Sequence, residues 1–177
     1  MNGHQIQIFF NMDVGEGKQK FIESWGKMAS EWGIPPAMAQ VHALLLVSPD
    51  PICADRVKED LDISTGAVST NLRALLEWGL AFKVTPNGCR KDAYYAEKDL
   101  LKVIKQIIIH RKKRELEPVL HMLDQLAAVQ ETCPESEHFC TVMRDIRRSA
   151  HKANQTLDTL IKADSHWLGS TFLSMLR

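Results

Sequence analysis

Small residues, hydroxyl groups and one guanidinium share a face of a predicted helix between residues 64 and 78. These residues are Ser64, Thr65, Gly66, Ser69, Thr70 and Arg73. Short hydroxyl groups donate and accept hydrogen bonds, and an arginine can fork onto a guanine edge or a phosphate. Such a face suits a helix in the major groove of DNA. An ordinary amphipathic helix with a light polar face is the alternative, and this helix alone does not decide between them.

The ends of this helix and its apolar stripe fix its place in the chain. Ser64 is a favourable N-cap, the helix is predicted from Thr65 to about Trp78, and Gly79 supplies the stop. Apolar residues recur at helical spacing on the side that should be buried, at Val68, Leu72, Leu75 and Leu76.

The preceding residues predict the helices that would support this one. Residues 54–61 fit a two-turn helix, and a connection of about three residues then leads to Ser64, which is the helix-turn-helix arrangement. Two earlier helices are predicted, from about Lys18 to Trp32 and from Pro36 to Val47, and a very short strand at 51–52. Residues 1–17 are assigned to an N-terminal extension.

A β-hairpin is predicted after the helix-turn-helix, with strands at 81–85 and 89–96 and a Pro-Asn-Gly turn at 86–88. Lys83, Arg90 and Lys91 fall at its outward or tip positions. From residue 63 to residue 95 there are four basic and two acidic residues. A basic hairpin beside a groove-reading helix can contact phosphates or enter the minor groove. The alternative is a hairpin that only covers the core.

Long amphipathic helices dominate residues 98–177. One pattern runs from Leu100 to Leu126 and should be kinked or broken near Pro118, and others cover residues 135–163 and 167–176. Their apolar surface exceeds what they can bury against each other, which predicts a homodimer. The predicted fold class is therefore mainly α with a small β-hairpin wing: a winged helix-turn-helix domain at 18–97 and a helical dimerisation region at 98–177.

Composition restricts the remaining function classes. The chain has 22 basic and 22 acidic residues, so DNA binding would have to rely on local charge. No apolar run approaches the roughly 20 residues of a membrane span, and we expect a cytoplasmic protein with reduced cysteines. No histidine pair has the spacing of two ligands on one helix face, and no phosphate loop or nucleophile motif occurs. We expect no metal, no cofactor and no enzymatic activity. Cys89, beside the cations Arg90 and Lys91, is a candidate for an oxidation sensor.

The sequence resembles the MarR-type winged-helix transcriptional regulators, and more closely their GbsR-like branch. The resemblance covers about Phe21 to Leu126 and is most specific in the phrases Trp-Gly, Gly-Ile-Pro-Pro and Asn-Leu-Arg-Ala-Leu. It implies a homodimer that binds a palindromic operator, usually as a repressor. The DNA contacts that the resemblance implies are Ser64, Thr65, Ser69, Thr70, Arg73, Lys83, Arg90 and Lys91.

The resemblance also implies a small-molecule effector. Trp25, Trp32 and Trp167 could form an aromatic cage for a quaternary ammonium such as choline, although core tryptophans are the commoner explanation of their spacing. The competing class of function is a winged-helix protein-interaction module without sequence-specific DNA binding. Zero net charge and the light basic content of residues 63–95 favour that alternative.

Overall fold

Two units make up the chain, Met1–Glu97 and Lys98–Arg177. The computed structural model describes residues 12–86, 91–129 and 133–162 within them. The elements of the first unit are α1 (Val14–Glu31), α2 (Pro36–Val47), β1 (Ile52–Cys53), α3 (Ala54–Leu61), α4 (Thr65–Glu77), β2 (Ala81–Val84) and β3 (Ala93–Ala96).

Helix α2 lies at the centre of the first unit. It is apolar nearly all round, and Val41, Ala43 and Leu45 are almost inaccessible to solvent. Helices α1 and α4 both pack against it. The close approach of α1 depends on Gly26, because a Cβ there would lie only 2.9 Å from Cγ of Gln40.

Helix α1 begins at Val14, whereas the sequence predicted a start at about Lys18. The predicted start was wrong because the apolar pattern begins only at Phe21. The signal that it missed is a capping box: the Asp13 carboxylate accepts from the Glu16 backbone N–H at 2.8 Å, and the Glu16 carboxylate accepts from the Asp13 N–H. The boundary drawn after residue 17 therefore cuts through the first turn of this helix.

The predicted helix-turn-helix is present as α3 and α4. Asp62 takes the left-handed conformation between them, with φ of 50°. The Ser64 hydroxyl accepts from the Ala67 N–H at 3.2 Å and caps α4 as predicted. Val68, Leu72 and Leu75 are buried as predicted, whereas Leu76, the fourth residue of the predicted stripe, is half-buried and lines a surface groove.

Helix α4 ends in a Schellman motif. Gly79 has φ of 66°, which only glycine adopts without strain. Its N–H donates to the Leu76 carbonyl at 3.1 Å, and the Leu80 N–H donates to the Leu75 carbonyl at 2.9 Å. Leu75 and Leu80 are both buried, so the motif directs the chain from α4 into the hairpin.

The sheet has three short antiparallel strands in the order β1-β3-β2. The pairs Phe82–Tyr95, Lys83–Tyr94 and Val84–Ala93 set the hairpin register, and Ile52 of β1 lies opposite Tyr94 on the other side. The described part of the second hairpin strand begins at Ala93. Most of the predicted turn, including Asn87 and Gly88, lies outside the described residues.

The second unit contains α5 (Leu100–Arg111), a π-helical turn (Lys112–Leu116), α6 (Glu117–Leu126) and α7 (Pro134–Lys162). The predicted disturbance near Pro118 takes the form of this π turn. Pro118 has no N–H to donate, and its ring would clash with the carbonyl of Arg114 in a regular α-helix. Widening the backbone just before the proline relieves that clash without ending the helix. The predicted helix at 167–176 lies outside the described residues.

Polar contacts join α6 to α7. The Asp124 carboxylate accepts from Arg147 and lies 3.1 Å from Nε2 of His151. These hydrogen bonds hold the pKa of Asp124 below its ordinary value. No helix in the described ranges has the length and apolar character that crossing a bilayer requires.

Candidate nucleic-acid interface

The outer face of α4 is exposed along its length. Every predicted contact residue on it is open to solvent, namely Ser64, Thr65, Gly66, Ser69, Thr70 and Arg73. Burial of the stripe at Val68, Leu72 and Leu75 orients this face outward. A helix with these two faces presents hydroxyl groups and one guanidinium to a ligand in solution.

A groove of about 290 Å³ lies between this face, α3 and the hairpin, and we refer to it as the α4 groove. Its polar lining consists of Asp55, Lys58, Thr65, Ser69, Arg73, Lys83 and Tyr94. The structure thus brings Thr65, Ser69, Arg73 and Lys83 together, as their predicted roles require. Arg90 lies outside the described residues.

Ion pairs engage both of the described hairpin lysines. Nζ of Lys83 lies 3.0 Å from Asp92, whose other carboxylate oxygen accepts from the Thr85 hydroxyl at 2.8 Å. Nζ of Lys91 lies 2.5 Å from the carboxylate of Asp55 in α3. Each lysine donates a hydrogen bond to its acid, which raises the pKa of both lysines above the ordinary value.

The carboxylates respond in the opposite direction. The hydrogen bond and then the charge of Lys91 hold the pKa of Asp55 below its ordinary value. The hydrogen bonds from Thr85 and then Lys83 lower the pKa of Asp92 in the same way. Both acids are therefore ionised at neutral pH, and they offset part of the positive charge that the hairpin sequence predicted.

Lys58 also lines the α4 groove, although it was not among the predicted contact residues. Its side chain is exposed on α3 and lines the α4 groove together with Arg73. Neither Lys58 nor Arg73 forms an ion pair with another residue in the described part of the chain. The spacing of Asp55 and Lys58 on one face of α3, opposite Val57, could have indicated this position.

The electrostatic result is a groove with a small positive excess. Three cations, Lys58, Arg73 and Lys83, line it together with the acid Asp55. Lys91 and Asp92 are the ion-pair partners of Asp55 and Lys83. Two of these cations have no ion-pair partner among the described residues. An anionic ligand at the groove would meet these two charges first.

The tryptophans proposed for an effector cage have different surroundings. The Trp25 ring lies 5.4 Å from that of Phe21 and 6.2 Å from that of the buried His42, as measured between ring centroids. Trp32 follows the last residue of α1 and is 57% exposed. Trp167 lies outside the described residues. Trp25 is half-buried and packs beside Phe21 and His42, and the cage stays a prediction.

The cysteines and possible metal ligands add no further site within the described ranges. Cys53, Cys133 and Cys140 are free thiols, and Cys89 lies outside the described residues. No group of three or more His, Cys, Asp or Glu side chains in the described part has the arrangement of a metal site.

These elements define a winged helix-turn-helix fold. A helix-turn-helix pair is followed by a two-stranded wing, and β1 completes the small sheet at the base of the wing. The mainly helical architecture predicted from the sequence is confirmed.

Comparisons with known proteins agree with this fold. The chain is 26% identical to "Putative HTH-type transcriptional regulator YvaV" of Bacillus subtilis (strain 168), over 70% of this chain and 73% of that protein. It superimposes on a crystal structure of a transcriptional regulator with a TM-score of 0.62 at 18% identity, covering 82% of this chain and 95% of the other.

A second structure is more distant. It is a mutant of MepR from S. aureus bound to an oligodeoxyribonucleotide, with a TM-score of 0.40 and 12% identity over 77% of this chain and 91% of that one. No protein-family model matches the chain.

Proposed function

We propose that this protein is a sequence-specific DNA-binding transcriptional regulator that acts as a homodimer. The observation that carries the proposal is the exposed hydroxyl-and-arginine face of α4, which lies beside the cations of the α4 groove on a winged helix-turn-helix fold. The sequence similarity to a protein named as a helix-turn-helix transcriptional regulator supports the same class.

In this proposal α4 enters the major groove. Ser69 and Thr70 are short enough to let the helix approach the base edges and to exchange hydrogen bonds with them. Arg73 reaches a guanine or a phosphate, because no acid in the described part of the chain engages its guanidinium. Lys83, Arg90 and Lys91 on the wing hold the adjacent phosphates and fix the orientation of the helix.

The homodimer is proposed from the second unit. Large apolar side chains on α5 and α7 remain more than a third exposed in the single chain, namely Leu100, Ile104, Phe139, Val142 and Ile146. A second copy of the chain would cover them. Twofold regulators read two half-sites about one DNA turn apart, so we propose that the dimer binds a palindromic operator. We propose that it acts there as a repressor, as the resemblance to MarR-type regulators implies.

The proposal includes a small-molecule effector. A quaternary ammonium held by Trp25, Trp32 and Trp167 would contribute cation–π contacts. Calorimetric titration of the full chain with choline and with betaine tests this, and the absence of heat with both would remove the cage.

The deciding experiment measures discrimination between DNA sequences. A duplex is selected from a random pool by the purified protein, and its dissociation constant is compared with that of a scrambled duplex of equal composition at about 50 and about 200 mM salt. We expect the selected duplex to bind about 10³-fold more tightly or better. Equal weak binding of both duplexes would support the protein-interaction module instead.

A further inference from the structure

We propose that Asp55, which lines the α4 groove, occupies the place of a DNA phosphate in the free protein by pairing with Lys91, and thereby limits the sequence-independent affinity for DNA. This inference rests on the proposed function. Besides the residues that promote DNA binding, it identifies one residue that opposes DNA binding.

The position of Asp55 carries the argument. Asp55 belongs to the first turn of α3 and lines the α4 groove that also contains Arg73 and Lys58. Its carboxylate lies 2.5 Å from Nζ of Lys91, a wing residue 36 positions later in the sequence. Lys91 is therefore already paired with a carboxylate when a DNA phosphate approaches it.

The pair is accessible to competition. The side chains of Lys91 and Asp55 are 75% and 60% exposed, so solvent and ions reach both. An exposed ion pair of this kind contributes little free energy and can exchange its acid for a phosphate at low cost. After the exchange, the Asp55 carboxylate stays close to the DNA backbone and repels it.

Asp92 differs from Asp55 in its contacts. Its carboxylate accepts from Thr85 and from Lys83, so both of its oxygens are engaged within the hairpin. This arrangement ties the two hairpin strands together next to the pair Val84–Ala93. Asp55 instead links two separate elements, α3 and the wing, and accepts from a single lysine in the described structure. Asp55 is therefore the acid that DNA can displace.

The test compares Asp55→Asn with Asp60→Asn in the full-length protein. Asp60 lies on the same helix and pairs with Arg56 at 2.8 Å, outside the α4 groove, so it controls for the loss of an acid from α3. Dissociation constants are measured for the selected and the scrambled duplex across a salt series. Thermal unfolding of each variant checks that it folds, and Asp55→Ser serves as a second variant.

We expect Asp55→Asn to tighten the binding of both duplexes by about two- to fivefold, the scale of one exposed ion pair. The logarithmic salt dependence should become steeper by a fraction of about one unit, because Lys91 then neutralises a phosphate without leaving an acid behind. Asp60→Asn should bind like the wild type. In a Lys91→Ala background, the gain from Asp55→Asn should shrink.

Two failures are distinguishable. If the wild type discriminates between the duplexes but Asp55→Asn and Asp55→Ser bind no more tightly than Asp60→Asn, the inference about Asp55 is wrong and the proposed function stands. Weaker binding by both Asp55 variants would also overturn it, since Asp55 would then position Lys91 for DNA. If the wild type does not discriminate at all, both proposals fall.

Discussion

Arg73 combines exposure on α4 with a place in the α4 groove, and no acid in the described part of the chain pairs with it. We expect Arg73→Ala to weaken binding to the selected duplex by about 1–3 kcal/mol, because a forked contact to guanine is lost. Binding to a scrambled duplex should change little. Fluorescence anisotropy with both duplexes measures this, and Arg56→Ala on the other side of α3 is the control. An equal loss for both duplexes would make Arg73 a phosphate contact only.

Lys91 should behave differently from Arg73. Lys91→Ala is expected to weaken all duplexes alike and to reduce the salt slope by about one unit, because it removes one phosphate contact. The exposed Lys27 in α1 provides a matched control, Lys27→Ala, which should leave the slope unchanged. A change in sequence preference with Lys91→Ala would contradict a purely electrostatic role.

At the scale of single residues, the sequence predicts those features that depend only on residue type and on spacing along a helix. The Ser64 cap and the outward position of Arg73 follow from residue type and helical spacing, and the structure has both. The ion pair between Asp55 and Lys91 does not follow from such rules, since 36 positions separate the two residues. The sequence therefore predicts the cations of the site better than the acids that oppose them.

At the scale of an element, the backbone geometry at the C-terminus of α4 contributes to the stability of the protein. Gly79→Ala should destabilise the protein by about 1 kcal/mol or more, because its φ of 66° is strained for any residue with a Cβ. Urea unfolding followed by circular dichroism measures the change. Gly66→Ala in the same helix is the matched control and should stabilise by roughly 0.5–1 kcal/mol, since a Cβ there meets nothing closer than 4.0 Å. Equal effects of the two substitutions would contradict the Schellman assignment.

Element boundaries were predictable where prolines or apolar spacing mark them, even without a side-chain cap. The bounds of α2 agree with the sequence because Pro36 begins the helix and Pro49 follows its end, and those of α3 agree because Val57 and Leu61 have helical spacing. Helix α1 starts earlier than predicted because its first turn contains Gly15 and Gly17 and no apolar stripe, so only the capping box marks it. The π turn before Pro118 was not predicted as such, because a proline signals a disturbed helix but not the way in which the backbone accommodates it.

At the scale of the whole molecule, we expect the second unit to form the contact between two copies of the chain. The described part of the second unit has an apolar groove of about 440 Å³, lined by Leu100, Leu101, Ile104, Lys105, Ile108, Leu160 and Ile161. Burying this surface against a second copy would supply the hydrophobic free energy of a dimer. A carboxylate placed in the middle of that apolar surface would lose its hydration when a second copy covers the groove, which is strongly unfavourable.

Ile104→Glu should therefore convert the protein to a monomer, since Ile104 is 46% exposed within this groove. Gln155→Glu adds the same charge at an exposed position of α7 and should leave the mass unchanged. Sedimentation velocity over a range of concentrations measures the assembly of both variants. The monomer should also bind the selected duplex about 10²-fold more weakly or worse, because the two half-sites are no longer engaged together. A monomeric wild type, or a dimeric Ile104→Glu variant that binds the selected duplex normally, would contradict the proposed homodimer with two DNA-binding helices.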